Sequence, residues 1–376
     1  MKGRILLVGN TAWSMFNFRL SLMLYLKEKG YEVMVAAPMD NYADRFKNYD
    51  ISYFQISHLK AKGKNPLEEI RLYNELAEIY KKAAPGLIFH YTVKPNIYGS
   101  LVAKKLGIPS IAVTTGLGYI FGTRNLISLI AKKLYRFSLK NAKEVWFLNK
   151  EDKESFIDHN IIEKEKTFVL PGEGIDTQRF KAATNEVPVT SRKFRFIMSG
   201  RMLYEKGVAD FVEASKILKT EGYDFESCLL GFVDVANPGA ISREQIMEWE
   251  KANIIRYLGV TDNVISHLST SDCFILPSYY REGIPRAIME AASLEIPVIT
   301  TDNVGCKDVV DDGETGFLCK VKNPVDLAEK MKQMLLLPGE KRSEFGRNAR
   351  KKMLAEFSQD KIVDIYLNKI HTYLHS

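Results

Sequence analysis

The sequence predicts an α/β protein of two doubly wound domains, each a parallel sheet with helices on both faces. Three observations predict it. Short apolar runs rich in Val and Ile alternate with longer stretches of helical period along the whole chain, the pattern of strands buried on both faces. The 376 residues exceed the length at which a single hydrophobic core stops growing, so two domains are expected. Near the middle, 181–193 (KAATNEVPVTSRK) is polar, contains a proline and has no period, which marks it as the linker.

In chain order, strands are expected at 4–8, 32–37, 51–54, 87–90, 110–114, 144–148 and 167–170 in the first half. The second half repeats the rhythm at 194–199, 226–231, 253–257, 272–276 and 296–300. Ile362, Ile365, Tyr366 and Ile370 recur at helical spacing, so the chain should end in a helix. The expected division is a first domain over 1–184, a second over 185–357 and a terminal helix over 358–376. Two such domains face each other across a cleft, and doubly wound sheets bind ligands at the carboxyl ends of their strands. Functional residues should therefore lie in strand-to-helix loops.

The formal net charge of +7 is unevenly spread. Residues 1–184 hold 28 Lys and Arg against 18 Asp and Glu, and 79–143 contain 11 basic residues and no acidic one. An anionic partner, whether membrane, phosphate or nucleic acid, should meet the first half. No nucleic-acid recognition module is legible, and phosphate-binding loops account for the charge. The four cysteines form no C-x-x-C pair, which excludes a zinc site or a disulfide framework and fits a reducing interior. No run approaches the ~20 apolar residues of a membrane span, so membrane contact should be peripheral.

Within the acid-free segment, 126–141 (LISLIAKKLYRFSLKN) reads as a basic amphipathic helix. Leu126, Ile130, Leu134 and Phe137 form its stripe, with Lys132, Lys133, Arg136 and Lys140 gathered to one side. The stripe faces either the protein core or lipid, and the basic flank can meet anionic lipid in both cases.

The strongest motif is 278–290 (SYYREGIPRAIME), directly after an apolar strand. Gly283 and Pro285 make a tight turn, and a helix begins. Gly283 allows close backbone approach, and amides at a helix start can hold an anion or a hydroxyl. Glu282 sits in that loop, while Glu290, eight residues on, lies where a carboxylate can accept two vicinal hydroxyls. Against this stands the reading of both as ordinary helix carboxylates, weakened by the apolar company of Ala291 and Ala292. A second motif, 198–207 (MSGRMLYEKG), ends a strand at Gly200 and puts Arg201 and Lys206 on one loop before another helix. Two cations at a helix N-terminus add to its positive end, and a diphosphate gives them a reason to be together.

The pairing of G-R-x-x-x-x-K-G with a downstream E-G-x-P and E-x7-E resembles the retaining nucleotide-sugar glycosyltransferases of the GT-B fold, over nearly the whole chain. Within that group it is most similar to bacterial enzymes that extend lipid-linked oligosaccharides, including capsule glycosyltransferases. The resemblance implies two Rossmann-like domains, with the terminal helix crossing back to the first. It implies that Arg201 and Lys206 bind the donor diphosphate, that Glu282 approaches the donor sugar with the Gly283 and Ile284 amides and Pro285 beside it, and that Glu290 holds the ribose hydroxyls. The base would lie by Tyr257.

In the first half, the resemblance implies that His90 touches the donor sugar, against the alternative of a structural histidine at a strand end. It sets Gly9 near the donor phosphates, although the family's two adjacent glycines are here Gly9 and Asn10. The turn at 114–118, with Thr114 and Gly116, would line the acceptor side. Arg19, among aromatics near the same place, meets an acceptor phosphate or is a surface arginine whose stem covers apolar area.

The expected reaction moves a hexose or N-acetylhexosamine from a UDP-sugar to a polyprenyl-diphosphate-linked saccharide, at the inner face of the cell membrane. No D-x-D occurs, so no metal or other cofactor is expected beyond the UDP-sugar co-substrate. A UDP-sugar epimerase or hydrolase on the same fold, or a soluble acceptor, are the alternatives. A nicotinamide oxidoreductase is disfavoured because the first turn, Gly9 to Trp13, lacks G-x-G-x-x-G.

Overall fold

In the computed structural model the apolar runs become two all-parallel sheets. The structure describes residues 2–60, 65–117, 126–182, 192–233, 235 and 237–374, without the side chains of 126–128. The chain divides into two compact units, Met1–Glu173 with Gln359–Ser376, and Gly174–Ser358.

The first unit holds β1 (Arg4–Val8), β2 (Glu32–Ala37), β3 (Ser52–Gln55), β4 (Leu87–Tyr91), β5 (Ser110–Thr114), β6 (Glu144–Phe147) and β7 (Thr167–Val169). Their spatial order is β3-β2-β1-β4-β5-β6-β7, so the order reverses between β1 and β4. The helices are α1 (Ala12–Glu28), α2 (Pro66–Ala83), α3 (Ser100–Lys105), α4 (Leu126–Leu139) and α5 (Lys150–Asp158). The central strands are buried, as in β4, where all five residues are covered, whereas the edge strands β3 and β7 are only partly so. That is why these runs are continuously apolar rather than alternating.

The second unit holds β8 (Phe194–Ser199), β9 (Phe225–Leu230), β10 (Arg256–Tyr257), β11 (Cys273–Leu276), β12 (Val298–Thr301) and β13 (Gly316–Cys319). Its order is β10-β9-β8-β11-β12-β13, reversing between β8 and β11. The helices α6 (Val208–Thr220), α7 (Arg243–Lys251), α8 (Val264–Leu268), α9 (Arg286–Ser293), α10 (Pro324–Leu336) and α11 (Gly339–Lys352) accompany it. Strand β13 is absent from the sequence expectation: four residues, Gly-Phe-Leu-Cys, carry no β-branched side chain.

The division falls earlier than 184/185. Ile175 and Phe180 belong to the second core, where the Ile175 amide donates to the Phe357 carbonyl (2.9 Å) and Ser293 Oγ to the Phe180 carbonyl (2.7 Å). Polarity drew the boundary toward 181–193, of which 183–191 lie outside the described residues. The chain leaves the first unit instead at Glu173, between two glycines with left-handed φ, and re-enters it at Gln359.

The last helix, α12 (Gln359–Leu374), is part of the first unit. Tyr366 packs its ring on Phe89 and Trp146, both at 4.9 Å, and its hydroxyl meets that of Tyr91 at 3.0 Å. Glu144 ties the helix down, accepting from Lys369 Nζ and Tyr373 Oη, each at 2.7 Å, while Trp146 Nε1 fills its other oxygen.

Of the two readings of the stripe, the core one does not hold, because helix α4 turns a different face inward. Tyr135 and Leu139 enter the core beside Phe147 and Phe156, and Ser138 is buried with its hydroxyl on the Leu134 carbonyl. Ile130 and Phe137 point outward, Leu134 is half-buried, and the Leu126 side chain is outside the described residues.

Candidate active site

The two sequence motifs leave from β8 and β11, the neighbouring strands at which the order of the second sheet reverses. A crevice opens at the carboxyl ends of strands at such a point, because successive connections leave it on opposite sides. Both motifs are thus at one end of one sheet, although they are 76 positions apart.

Gly207 lets the two loops touch. Its φ of +79° is left-handed, and a Cβ there would lie 2.1 Å from the Pro277 carbonyl oxygen. The Glu205 carbonyl then accepts the amides of Tyr279 and Tyr280, both at 3.0 Å, and the Ser278 hydroxyl at 3.2 Å. On this frame Lys206 Nζ donates to Glu282 Oε1 at 2.5 Å, and Ser278 Oγ donates to the same oxygen at 2.9 Å. The pair is largely covered, with side chains 17% and 11% exposed, so Coulomb attraction acts with little screening. Arg201, on the same loop as Lys206, is exposed and has no ion-pair partner among the described residues.

A third loop, after β12, braces the Glu282 loop from behind. Thr301 Oγ1 donates to the Ser278 carbonyl (2.5 Å), and Asn303 Nδ2 to the Ser278 and Tyr280 carbonyls (3.3 and 2.8 Å). Gly305, with φ +80°, packs so closely that a Cβ would come within 2.0 Å of the Gly283 carbonyl oxygen. Thr301, Asn303 and Gly305 carry no signal in the sequence, since nothing in their spacing reveals a brace between separate strands.

Helix α9 starts after Pro285 with no side-chain cap and no acidic residue in its first turn, so the positive end of its dipole lies at the Glu282 loop. Glu290 lies one turn further on and takes Arg286 Nε on Oε1 at 3.0 Å. Burial pushes its carboxyl above the usual range, with Arg286 and Arg179 pulling the other way. Ile284 is half-buried beside Gly283. Tyr257, at the end of β10, donates its hydroxyl to the Gly231 carbonyl at 2.7 Å and so fixes the chain after β9.

In the first unit the structure corrects two residues. His90 has no exposed surface: Nε2 meets Tyr80 Oη at 2.8 Å, Nδ1 meets Ser100 Oγ at 3.5 Å, and burial lowers the ring's pKa to about 3. It is a neutral core group, not a side chain presented to a sugar. Arg19 is 5% exposed, paired with Glu173, bonded to the Ser14 carbonyl at 3.2 Å and stacked 3.9 Å over the Tyr91 ring. Its charge is already neutralised, so neither the phosphate contact nor the surface arginine describes it.

Gly9 follows β1 where a Cβ would fall 2.3 Å from Met15 Sδ, so a larger residue there would have to displace the Met15 side chain of α1. Thr114 closes β5 with its hydroxyl buried and without a hydrogen-bond partner among the described residues. Gly116 follows with φ +129°, and Gly118 lies outside the described residues.

Among the described residues no group of three His, Cys, Asp or Glu side chains forms a metal cluster. No described helix is long and apolar enough to cross a membrane.

The two doubly wound units each match a glycosyltransferase family. Residues 4–149 match the family described as Glycosyl transferase 4-like, and residues 180–352 match Glycosyl transferases group 1. The chain belongs to the group 1 glycosyltransferases of the GT-B fold. It is 28% identical to the N,N'-diacetylbacillosaminyl-diphospho-undecaprenol alpha-1,3-N-acetylgalactosaminyltransferase of Campylobacter jejuni, over 97% of each chain. It is 25% identical to the UDP-Gal:alpha-D-GlcNAc-diphosphoundecaprenol alpha-1,3-galactosyltransferase of Escherichia coli, over 81% of each. Among solved structures it resembles Anabaena HepE in complex with UDP-glucose, with a TM-score of 0.80 and 17% identity over 98% of this chain and all of that one.

Proposed function

We propose that this glycosyltransferase moves a hexose or N-acetylhexosamine, with retention of configuration, from a UDP-sugar to a saccharide carried on polyprenyl diphosphate. The observation that carries this reading is the Lys206–Glu282 pair, set at one switch point beside Arg201, which has no ion-pair partner among the described residues, and beside the start of α9, which has no side-chain cap. A nucleoside diphosphate matches two cations beside a helix start, and it disperses its charge further as the sugar departs. The relatives' names supply the acceptor class: both act on a sugar joined to a diphosphate-linked undecaprenyl lipid. The HepE complex supports a UDP-sugar as donor.

In the proposed reaction the bond between the sugar's anomeric carbon and the diphosphate oxygen breaks, and one to the acceptor oxygen forms on the same face. The acceptor's proton passes to the departing phosphate, and UDP leaves. Arg201, Lys206 and the α9 amides stabilise the leaving charge in place of a metal, Glu282 and the Gly283–Ile284 backbone hold the donor sugar, and Glu290 takes the ribose hydroxyls. Pro285 shapes the turn, Tyr257 lies beside the base, and Gly9 lies near the phosphates. Thr114 and Gly116 line the acceptor. The protein works at the cytoplasmic face of an anionic membrane.

The test is donor-dependent UDP release from a panel of UDP-sugars, with and without bacterial lipid extract, followed by anomeric analysis of the product. Lipid-dependent release with retention, persisting in EDTA, is the expected result. Epimer formation without any acceptor, inverted product or a strict divalent-ion requirement would each refute the corresponding part.

A further inference from the structure

We infer that the outward face of α4 is a bilayer-docking surface, in which Leu129, Ile130 and Phe137 enter the interface of an anionic membrane while Lys133 and Lys140 engage its headgroups. The inference rests on the proposed lipid-linked acceptor but is read from the surface itself.

Leu129, Ile130 and Phe137 are 52%, 49% and 57% exposed, an unusual set of large apolar side chains within just over two turns of one helix. They are not stranded by a poorly packed helix. The opposite face is occupied, since Tyr135 and Leu139 are buried in the core and Ser138 is covered. Lys133 lies one turn from Leu129 and Phe137, and Lys140 has its ammonium 5.0 Å from the Phe137 ring. Arg136 has a structural task, donating to the His159 carbonyl at 2.7 Å and so capping the end of α5. The exposed cations are therefore separable from the one that holds the fold.

Charge selects the occupant. The helix sits within the 65 residues from 79 to 143 that contain no acidic side chain, so nothing on its own segment opposes an anionic surface. Apolar side chains alternating with lysines along one face match the boundary of a bilayer, where rings and aliphatic chains enter the acyl region and ammonium groups remain at phosphate depth. A purely electrostatic patch has no use for Phe137, and a protein partner of ordinary composition has no reason to favour a helix whose own segment carries no acidic residue.

The test is flotation of the full-length protein with phosphatidylcholine vesicles, with and without about one-third phosphatidylglycerol, at low salt and in about 1 M NaCl, where the Debye length is only about 3 Å. Wild type should float with the anionic vesicles and retain part of its binding at high salt. Leu129→Ser/Ile130→Ser/Phe137→Ser should lose that residual binding by at least about tenfold, because each half-exposed side chain gives up its transfer into the interface. Lys133→Gln/Lys140→Gln should lose binding at low salt by about thirtyfold, roughly fivefold per cation. Both variants should keep the wild-type melting temperature, since the altered side chains face outward. Equal flotation of wild type and the triple variant, or no flotation of wild type, would overturn the inference. So would a lipid-free dimer abolished by the triple substitution, which would assign the face to a second copy. Transfer to a lipid-linked acceptor dispersed in detergent reads the proposed function separately, because no bilayer is then needed.

Discussion

Lys206 Nζ and Glu282 Oε1 lie 2.5 Å apart, joining the first loop of the second sheet's switch point to the loop that leads into α9. Each charge sets the position of the other. Lys206 is held away from free rotation in solvent, and Glu282 is locked by a cation on one side and Ser278 on the other. Removing one partner takes the opposite charge away from a largely buried group, which costs about 3 kcal/mol or more, whereas removing both charges costs less. Lys206→Ala should thus lower the melting temperature more than Lys206→Ala/Glu282→Gln does. Both single variants should lose about 10²- to 10³-fold in kcat, and the double variant should lose little more, because the two act as a unit. Melting curves and steady-state rates on the four proteins of this cycle check the claim, and additive rate losses would sink it.

Arg201 offers the contrasting case on the same loop. It is exposed and has no carboxylate partner among the described residues, so Arg201→Ala should leave stability within about 0.5 kcal/mol of wild type. If it meets the donor diphosphate, UDP should bind roughly tenfold or more weakly to the variant, with a shallower dependence on salt. Isothermal titration with UDP reads both. Unchanged affinity removes Arg201 from the site.

Much of this arrangement is legible in the sequence because parallel strands buried on both faces appear as unbroken apolar runs. The glycine-punctuated loops after β8 and β11 stand out for the same reason, as charge placed directly behind such runs. What is not legible is adjacency. That Lys206 and Glu282 meet depends on β8 and β11 being neighbours, which strand order decides and local pattern does not. The brace from Thr301 and Asn303 depends likewise on β12 lying beside β11. The direction of a side chain at a strand end is also hidden. Phe89, His90 and Tyr91 are all buried, so no alternation marks His90 as inward. Arg19 misleads similarly, because its partner Glu173 is 154 positions away.

Arg19 is expected to be a structural residue of the first unit. Its guanidinium satisfies Glu173 and covers the Tyr91 ring, and no more than 5% of the residue is exposed. Arg19→Ala leaves the Glu173 carboxylate without its cation and opens space against an aromatic ring, at a cost of about 3–5 kcal/mol. Arg19→Ala/Glu173→Gln should recover part of that loss. Chemical denaturation of the three proteins measures it. A stable Arg19→Ala variant with a raised KM for acceptor would reverse the assignment and return the residue to phosphate recognition.

His90 gives the clearest dependence on pH. Its folded-state pKa is lowered to about 3 by burial, while the unfolded chain protonates near the usual 6.5. Between those values the unfolded state binds a proton that the folded state refuses. The contribution of the neutral ring to stability is therefore fully present above about pH 6.5 and is lost progressively as pH falls, by at most about 1.4 kcal/mol per unit. Stability measured from pH 7.5 to 5 should fall on the acid side, and His90→Gln should flatten that slope even if it lowers stability throughout. The rate should carry no inflection from this imidazole near pH 6.5, because the ring does not titrate there in the folded enzyme. A kcat/KM profile with a single ionisation near 6.5 that disappears in His90→Gln would place the ring at the reacting sugar after all, since only a solvent-accessible imidazole can retain that value.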